Sequence, residues 1–287
     1  MKFGIGVILY NPDRLVLERL KKYKMLTSNL FIVDNTEEEN CISDEVKSTF
    51  LNYYRFKENE GMSNALNKIF SESLKKNIEW LLTMDQDSDF SSESINSMLE
   101  VINQNKNSEI SIFCPNYRKI YIDSNGDDVF GKYAIKENEI INVNFSMTSG
   151  SFCRMSDIEK NLPLENLFIG YVDNDLCLTL LSQNKKICMV GNIGFSQRVG
   201  AEVKSTLYNR VFRIVKHTEQ RYYYMTRNNC YLQEKYKSNR KFKKILILNF
   251  LRIHINILLG ENNKIKKLKS SYKGYMDYKN DELGKKI

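Results

Sequence analysis

The chain is poor in the residues that staple, kink or chelate. Its 287 residues include three prolines, two histidines and one tryptophan. With so little proline and no Gly/Ser tract, no stretch reads as a flexible linker. No repeat recurs at solenoid or propeller periods. His217 and His254 are the only histidines, and the six cysteines (Cys41, Cys114, Cys153, Cys177, Cys188 and Cys230) include no C-x-x-C pair. A zinc site of the usual Cys/His kind therefore has little support. A chain this long does not need disulfides, and thiols scattered among apolar residues suit a reducing cytoplasm as small buried hydrophobes. No run of about 18 uninterrupted apolar residues occurs, so no segment reads as spanning a bilayer. The apolar start stops at Asn11-Pro12, too short for a signal peptide with a cleavage site.

Hydrophobic residues make up 42% of the chain, enough for a sizeable core. The net charge of +8 is unevenly placed. Residues 1–234 carry 28 Lys/Arg against 31 Asp/Glu, a net of −3, whereas residues 235–287 carry 15 against 4, a net of +11. A basic end of this kind suggests an anionic partner, a membrane surface or a nucleic acid.

Residues 3–10 (FGIGVILY) and 30–34 (LFIVD) read as buried strands, as do 79–84, running into Asp85, and a short segment within 49–56. The spacing of Leu15, Leu17, Leu20, Tyr23 and Leu26 predicts a helix over 13–27, and that of Ala65, Leu66, Ile69, Phe70 and Leu74 predicts one over 61–77. Further along, 110–114, 118–122 and 186–190 read as strands, 142–154 as a strand broken at Ser149-Gly150, Asn125-Gly126-Asp127 as a turn, and 173–183 as a helix. From about 205 the pattern is helical and increasingly basic. Alternation of this kind predicts an α/β domain with a mostly parallel sheet flanked by helices. Ligands of such sheets sit beyond the strands' carboxyl ends, where Asp34 and Asp85 both fall.

Asp85-Gln86-Asp87 follows a buried strand directly. Alternate side chains of an extended segment point the same way, so the two carboxylates can converge on a hard cation, Mg²⁺ or Mn²⁺, that also grips phosphate oxygens. The plain alternative is a solvated acidic turn. Gly61 opens a predicted helix whose free N–H groups would suit an anion, the alternative being an ordinary start capped by Ser63 or Asn64. Asp173, behind the aromatic segment 168–172, could accept a proton from a hydroxyl or simply cap its helix. Arg221 or Arg227 could meet a phosphate from a tyrosine-rich helix, unless those tyrosines are core. Residues 240–259 combine apolar bulk with flanking lysines and are interrupted by Asn249, Arg252, His254 and Asn256. That pattern suits either the membrane interface or a docked helix.

In this order the motifs resemble inverting family 2 glycosyltransferases, especially the bacterial rhamnosyltransferase-like branch. The matching blocks are VILYNP (7–12), FIVDN (31–35), ENEGMSNALNK (58–68), LLTMDQDSDF (81–90), TSGSFCR (148–154), FIGYVDNDLCLTL (168–180), RYYYMTRN (221–228) and KGYMDYKNDELGKK (273–286). The resemblance implies a glycosyltransferase A-type fold, with residues 1–204 as the nucleotide-sugar-binding catalytic domain and 205–287 as a helical extension, whose basic charge and apolar stretch suit a membrane surface. It implies Asp173 as the general base and Asp87 as the main metal ligand, with Asp85 joining the metal and the donor. Tyr10, Asn11, Asp34, Asn35, Gly61, Asn64 and Arg227 would line the donor, and Asp175 and Tyr171 the acceptor. Two departures stand out. Gln197, before Gly200, occupies a place where many relatives have a histidine, and an amide is a weaker metal ligand than an imidazole. Val172 stands where many have glutamate.

The expected activity is therefore metal-dependent transfer of a sugar, favouring rhamnose from dTDP-L-rhamnose, with a UDP-hexose as the alternative donor. The acceptor would be a glycan or lipid-linked oligosaccharide of bacterial surface polysaccharide synthesis, on the cytoplasmic face of the cell membrane. A homodimer is admitted and no nucleic-acid partner is expected. A nucleotidyltransferase would need a glycine-rich basic loop after the first strand, where Asn11-Pro12-Asp13 stands instead. A lapsed catalyst that binds membrane or nucleic acid through its basic tail is the non-enzymatic alternative.

Overall fold

Strands β1 (Phe3–Leu9) and β2 (Leu30–Asp34) have almost no side chain in water; every residue of β2 is buried. Such strands are stable only in the middle of a layered α/β structure. The computed structural model describes residues 1–105, 108–122, 128–137, 139–198 and 216–286. Between and after these strands come α1 (Arg14–Leu26), α2 (Cys41–Thr49), β3 (Tyr53–Arg55), α3 (Gly61–Lys75), β4 (Trp80–Asp85) and α4 (Ser92–Gln104). There follow β5 (Ile110–Ile122), β6 (Asp128–Phe130), β7 (Ile140–Val143), β8 (Ser151–Arg154), α5 (Met155–Ile158), α6 (Val172–Ser182) and β9 (Lys186–Arg198). The helices α7 (Glu219–Lys235), α8 (Arg240–Gly260) and α9 (Lys264–Lys279) close the chain.

The strands form one 9-stranded sheet in the order β3-β2-β1-β4-β8-β5-β9-β7, with β6 paired to β5. Pairing fixes the directions: β1, β2, β3, β4, β5 and β9 run one way, and β6, β7 and β8 run against them. The sheet is thus mixed but mostly parallel, as expected. Its two faces carry separate cores. One joins α3 and α6 to Leu232, Phe242 and Leu246 of the C-terminal helices. The other packs α1 and α4 beneath Trp80, Phe113 and Phe152. Each fully buried Leu, Ile or Phe contributes roughly 1.5–3 kcal/mol. The close approach of α3 to β1 demands Gly6, where a Cβ would stand 2.4 Å from Ile69 Cγ2.

Polar side chains mark where the helices begin. Asp13 accepts from the Val16 N–H at 3.0 Å, and Asn40, Ser91, Thr218 and Asn239 cap α2, α4, α7 and α8 in the same way. The sequence reading left α2 and α4 unassigned. In α2 only Ser43 and Val46 are buried, so no apolar period shows.

The segment 142–154, read as one broken strand, is two strands in different places. β7 lies at the sheet edge beside β9, while β8 inserts between β4 and β5. Conversely, the strands read at 110–114 and 118–122 are one, β5, with a register irregularity between Pro115 and Asn116. The turn at 125–127, Gly200, the Gln197 side chain and the division at 204/205 lie outside the described residues.

Candidate active site

Strand β4 delivers Asp85 to the carboxyl edge of the sheet, where Gln86 fixes the turn that follows. Its amide pairs with both backbone groups of Tyr10, accepting from Tyr10 N and donating to Tyr10 O, each at 2.8 Å. The Arg19 guanidinium donates to Gln86 O at 2.7 Å. The middle residue of the acidic triplet is therefore a clamp between β1 and β4. Asp85 is half-buried and Asp87 exposed. The Asp85 N–H donates to the Ser149 hydroxyl at 3.1 Å, and the neighbouring Thr148 hydroxyl donates to Asp173 Oδ1 at 3.0 Å. The break in the 142–154 segment is thus what ties the β4 end to the first turn of α6.

Burial pushes the Asp85 carboxyl up to about 7, helped by repulsion from Asp173 and Asp87. Burial likewise raises Asp173 to about 6, opposed by the Thr148 hydroxyl and by Arg221. Arg221, on α7, is the cation facing these acids, and its charge also pulls Asp85 down. A carboxyl with a pKa near 6 can take up a proton at neutral pH. Asp85 and Asp87, two residues apart and repelling each other, are hard-oxygen groups of the kind that could hold Mg²⁺ or Mn²⁺, with water or phosphate completing the shell. Among the described residues no group of three or more His, Cys, Asp or Glu side chains could hold a metal.

Beside Asp173 opens a cavity of about 420 Å³. It is lined by Met62, Phe145, Met147, Gly170 and Tyr171, by His217 just before α7 and Arg221 and Met225 on it, and by Asn249, Arg252, Ile253 and Asn256 of α8. Tyr171 enters α6 at a φ of 66°, and its hydroxyl accepts from Asn229 Nδ2 at 3.0 Å. Sequence reasoning missed Thr148 and the α8 residues. The signal was present in α8: Asn249, Arg252 and Asn256, spaced i, i+3 and i+7, form one polar stripe on an apolar helix.

Several expected site residues are placed otherwise. Arg227, expected at the donor, is 0% exposed, with its guanidinium donating to Gly284 O at 2.8 Å and Leu167 O at 3.1 Å. It anchors the C-terminal tail to the loop before α6. Asp175, expected at the acceptor, has its carboxylate buried against Lys235 Nζ, 2.9 Å away, and the Tyr236 hydroxyl, at 2.7 Å. Gly61, expected at the donor, packs against the loop before α6. Phe168 covers it, a Cβ there would meet Phe168 O at 2.5 Å, and the Met62 N–H already donates to that oxygen. The tyrosines of α7 are core: Tyr222, Tyr223 and Tyr224 bond to Glu261, Asp277 and Lys286 O.

At the donor edge, Asp34 is fully buried and accepts from Thr36 N at 2.8 Å and the Tyr53 hydroxyl at 2.7 Å. Asn35 is buried too, its amide bonded to Gly61 O and Glu60 N. Both shape the edge from below. Tyr10 and Asn11 are exposed there, and the half-buried Asn64 donates to Glu60.

Arg227 gives a direct test. Arg227→Met should cost about 2–3 kcal/mol in urea unfolding, because it takes the donor from the buried Gly284 carbonyl and leaves the Leu167 carbonyl to Asn228 alone. Unchanged stability with weakened nucleotide binding would restore the donor role.

Residues 7–156 match the family model described as "Glycosyl transferase family 2". No curated protein sequence matches the chain. Among solved structures, S. aureus TarS 1-349 aligns with a TM-score of 0.56 at 12% identity, over 97% of this chain and 81% of that one. The same protein in complex with UDP-GlcNAc gives 0.51 at 12% identity, over 96% and 72%. GalNAc-T7 with UDP, GalNAc and Mn²⁺ gives 0.52 at 13% identity, over 90% and 56%. At such identities the likeness is one of fold alone. The family model spans more than half of the chain, and with the sheet order and the acidic strand end described above it makes the protein a member of glycosyltransferase family 2, an enzyme of the glycosyltransferase A-type fold.

Proposed function

We propose that the chain transfers a sugar from a nucleoside diphosphate donor to an acceptor hydroxyl with inversion, Asp173 acting as base. The observation that carries this is that Asp173 and Arg221 line a cavity beyond the sheet's carboxyl edge, with Asp85 near enough to feel the charge of both. Asp173 takes the proton of the acceptor hydroxyl. That oxygen bonds to the anomeric carbon as the bond from this carbon to the diphosphate oxygen breaks, and the bonding pair leaves on the diphosphate. Arg221 is placed to offset the charge gathering there. Thr148 holds Asp173 in orientation through its hydroxyl and its backbone N–H. A divalent cation on Asp85 and Asp87, when bound, supplies further neutralisation of the diphosphate. The donor base and ribose would lie over Tyr10, Asn11 and the Asp34–Asn35 floor.

The rhamnosyl preference rests on short sequence motifs. UDP-GlcNAc in the TarS complex and UDP with GalNAc in GalNAc-T7 support a UDP-hexose instead. Among the described residues no helix is long and apolar enough to cross a membrane. Peripheral binding is supported by the exposed Leu248, Leu251 and Leu258 of α8 beside Lys241 and Lys244. A panel of dTDP-L-rhamnose, UDP-glucose, UDP-galactose and UDP-N-acetylhexosamines, with and without Mn²⁺, tests the donor. One of them should be slowly hydrolysed and should raise the melting temperature. No response to any nucleotide sugar would overturn the reading.

A further inference from the structure

The parallel pairing of β1 with β4 runs from Phe3 opposite Trp80 to Ile8 opposite Asp85. Just beyond it, the Gln86 side chain takes both backbone groups of Tyr10, each at 2.8 Å. Those two bonds lie outside the ladder. What they fix is the turn that leaves the sheet, and the rest of that turn is held as firmly. Asn11, at a φ of 49°, donates its N–H to the hydroxyl of the buried Thr36 at 2.8 Å, and the Asn35 N–H donates to Leu9 O at 2.9 Å. Helix α1, into which the turn leads, returns Arg19 to Gln86 O at 2.7 Å. Yet Tyr10 itself is 46% exposed. A backbone pinned at both polar groups, carrying an open aromatic ring, is a device for placing the ring. With Tyr10 N and O both occupied, a ligand meets this residue through its side chain alone. A nucleobase offers the flat face that such a ring takes up. The residue type at 86 matters for the same reason. An amide end carries an acceptor for the N–H and a donor for the carbonyl, which neither a carboxylate nor an ammonium does.

We infer that Gln86 is a positioning residue for the donor: through the Tyr10 backbone it holds the Tyr10 ring ready for the nucleobase to stack on, in fixed register with Asp85 and Asp87. The inference deepens the transferase reading and rests on it. It gives the middle residue of the acidic triplet a task separate from that of its neighbours, since its amide is committed to the turn and is left with neither cation nor phosphate to bind. Without the two bonds the ring samples other positions, and the base has to order it on binding, which lowers affinity.

The test is a double-mutant cycle on the full chain, read by calorimetry with UDP and dTDP as probes. Gln86→Met is close in shape and makes neither bond. It should weaken the nucleotide that the wild type binds by about fivefold or more, the worth of two hydrogen bonds. Tyr10→Ala should weaken it too, by removing the stacking face. In the Tyr10→Ala background, Gln86→Met should change affinity by less than about twofold, because no ring is left to place. Thr36→Val frees the Asn11 N–H on the other side of the turn. It should follow the same pattern, and it carries the cycle if Gln86→Met folds poorly. In turnover the loss should appear in the donor KM, while the pH dependence set by Asp173 stays. Unchanged affinity in these variants, or an equal loss with and without the Tyr10 ring, would overturn the inference and leave the transferase reading intact. A wild type that binds neither nucleotide would overturn that reading and this inference with it.

Discussion

Asp173→Asn should lower sugar transfer by about 10²–10⁴-fold, the range that a positioned general base contributes. Binding of the nucleoside diphosphate should change little, because the substitution keeps the oxygen that accepts from Thr148 and removes only proton affinity. The wild-type rate should also report the carboxyl. Burial holds it up at about 6. Only the ionised form can accept the proton, so the rate should climb as pH rises through about 6 and level off above. Residual transfer by the Asn variant should lack that rise. Normal turnover by Asp173→Asn, measured with the donor found in the panel, would end the assignment.

Asp87→Ala should weaken Mn²⁺-dependent nucleotide binding by at least about tenfold, since loss of an outer-shell partner alone typically costs 10–100-fold. The pH dependence of the wild type gives a second handle. The folded Asp85 carboxyl sits at about 7, above its ordinary value. A raised carboxyl favours the folded state while protonated, and that contribution is lost as pH rises toward and through 7. A cation favours the ionised pair, so thermal stabilisation by Mn²⁺ should be small at pH 5 and should grow toward pH 8. Calorimetry with equal affinity in wild type and Asp87→Ala would place the metal elsewhere. Stabilisation independent of pH would detach it from Asp85.

Much of the fold was legible because its signals are local. The run in β2 needs burial on both faces, and the Leu and Ile spacing of α1 and α3 fits only a helical period. Helix α2 was illegible because its buried stripe is a serine and a valine. The segment around Gly150 showed its break, but nothing local says that β8 would lie beside β4 and β7 beside β9. That is a choice among pairings distant in sequence, made by the assembled sheet.

The site divides in the same way. Asp85, Asp87 and Asp173 were legible as carboxylates at the ends of buried elements, where the chain leaves the core and a polar group needs a reason. Arg221 and Arg227 were not separable by type, since both follow the same tyrosine-rich pattern. They differ because positions 221 and 225 share the cavity face of α7 while 227 points at the tail. Asp175 looked as available as Asp173 until Lys235 and Tyr236, sixty residues on, were packed against it.

The sequence by itself determined the family, the layered α/β class and the acidic strand end, because periodicity and short motifs are properties of neighbouring residues. Only the tertiary structure decided which charges are free to meet a ligand. It joined Thr148 to Asp173, turned Arg227 and Gly61 into packing elements, and brought Arg252 of the last third of the chain to the wall of the cavity. The physical reason is that a side chain's availability depends on what fills the space around it, and that space is filled by residues far away along the chain.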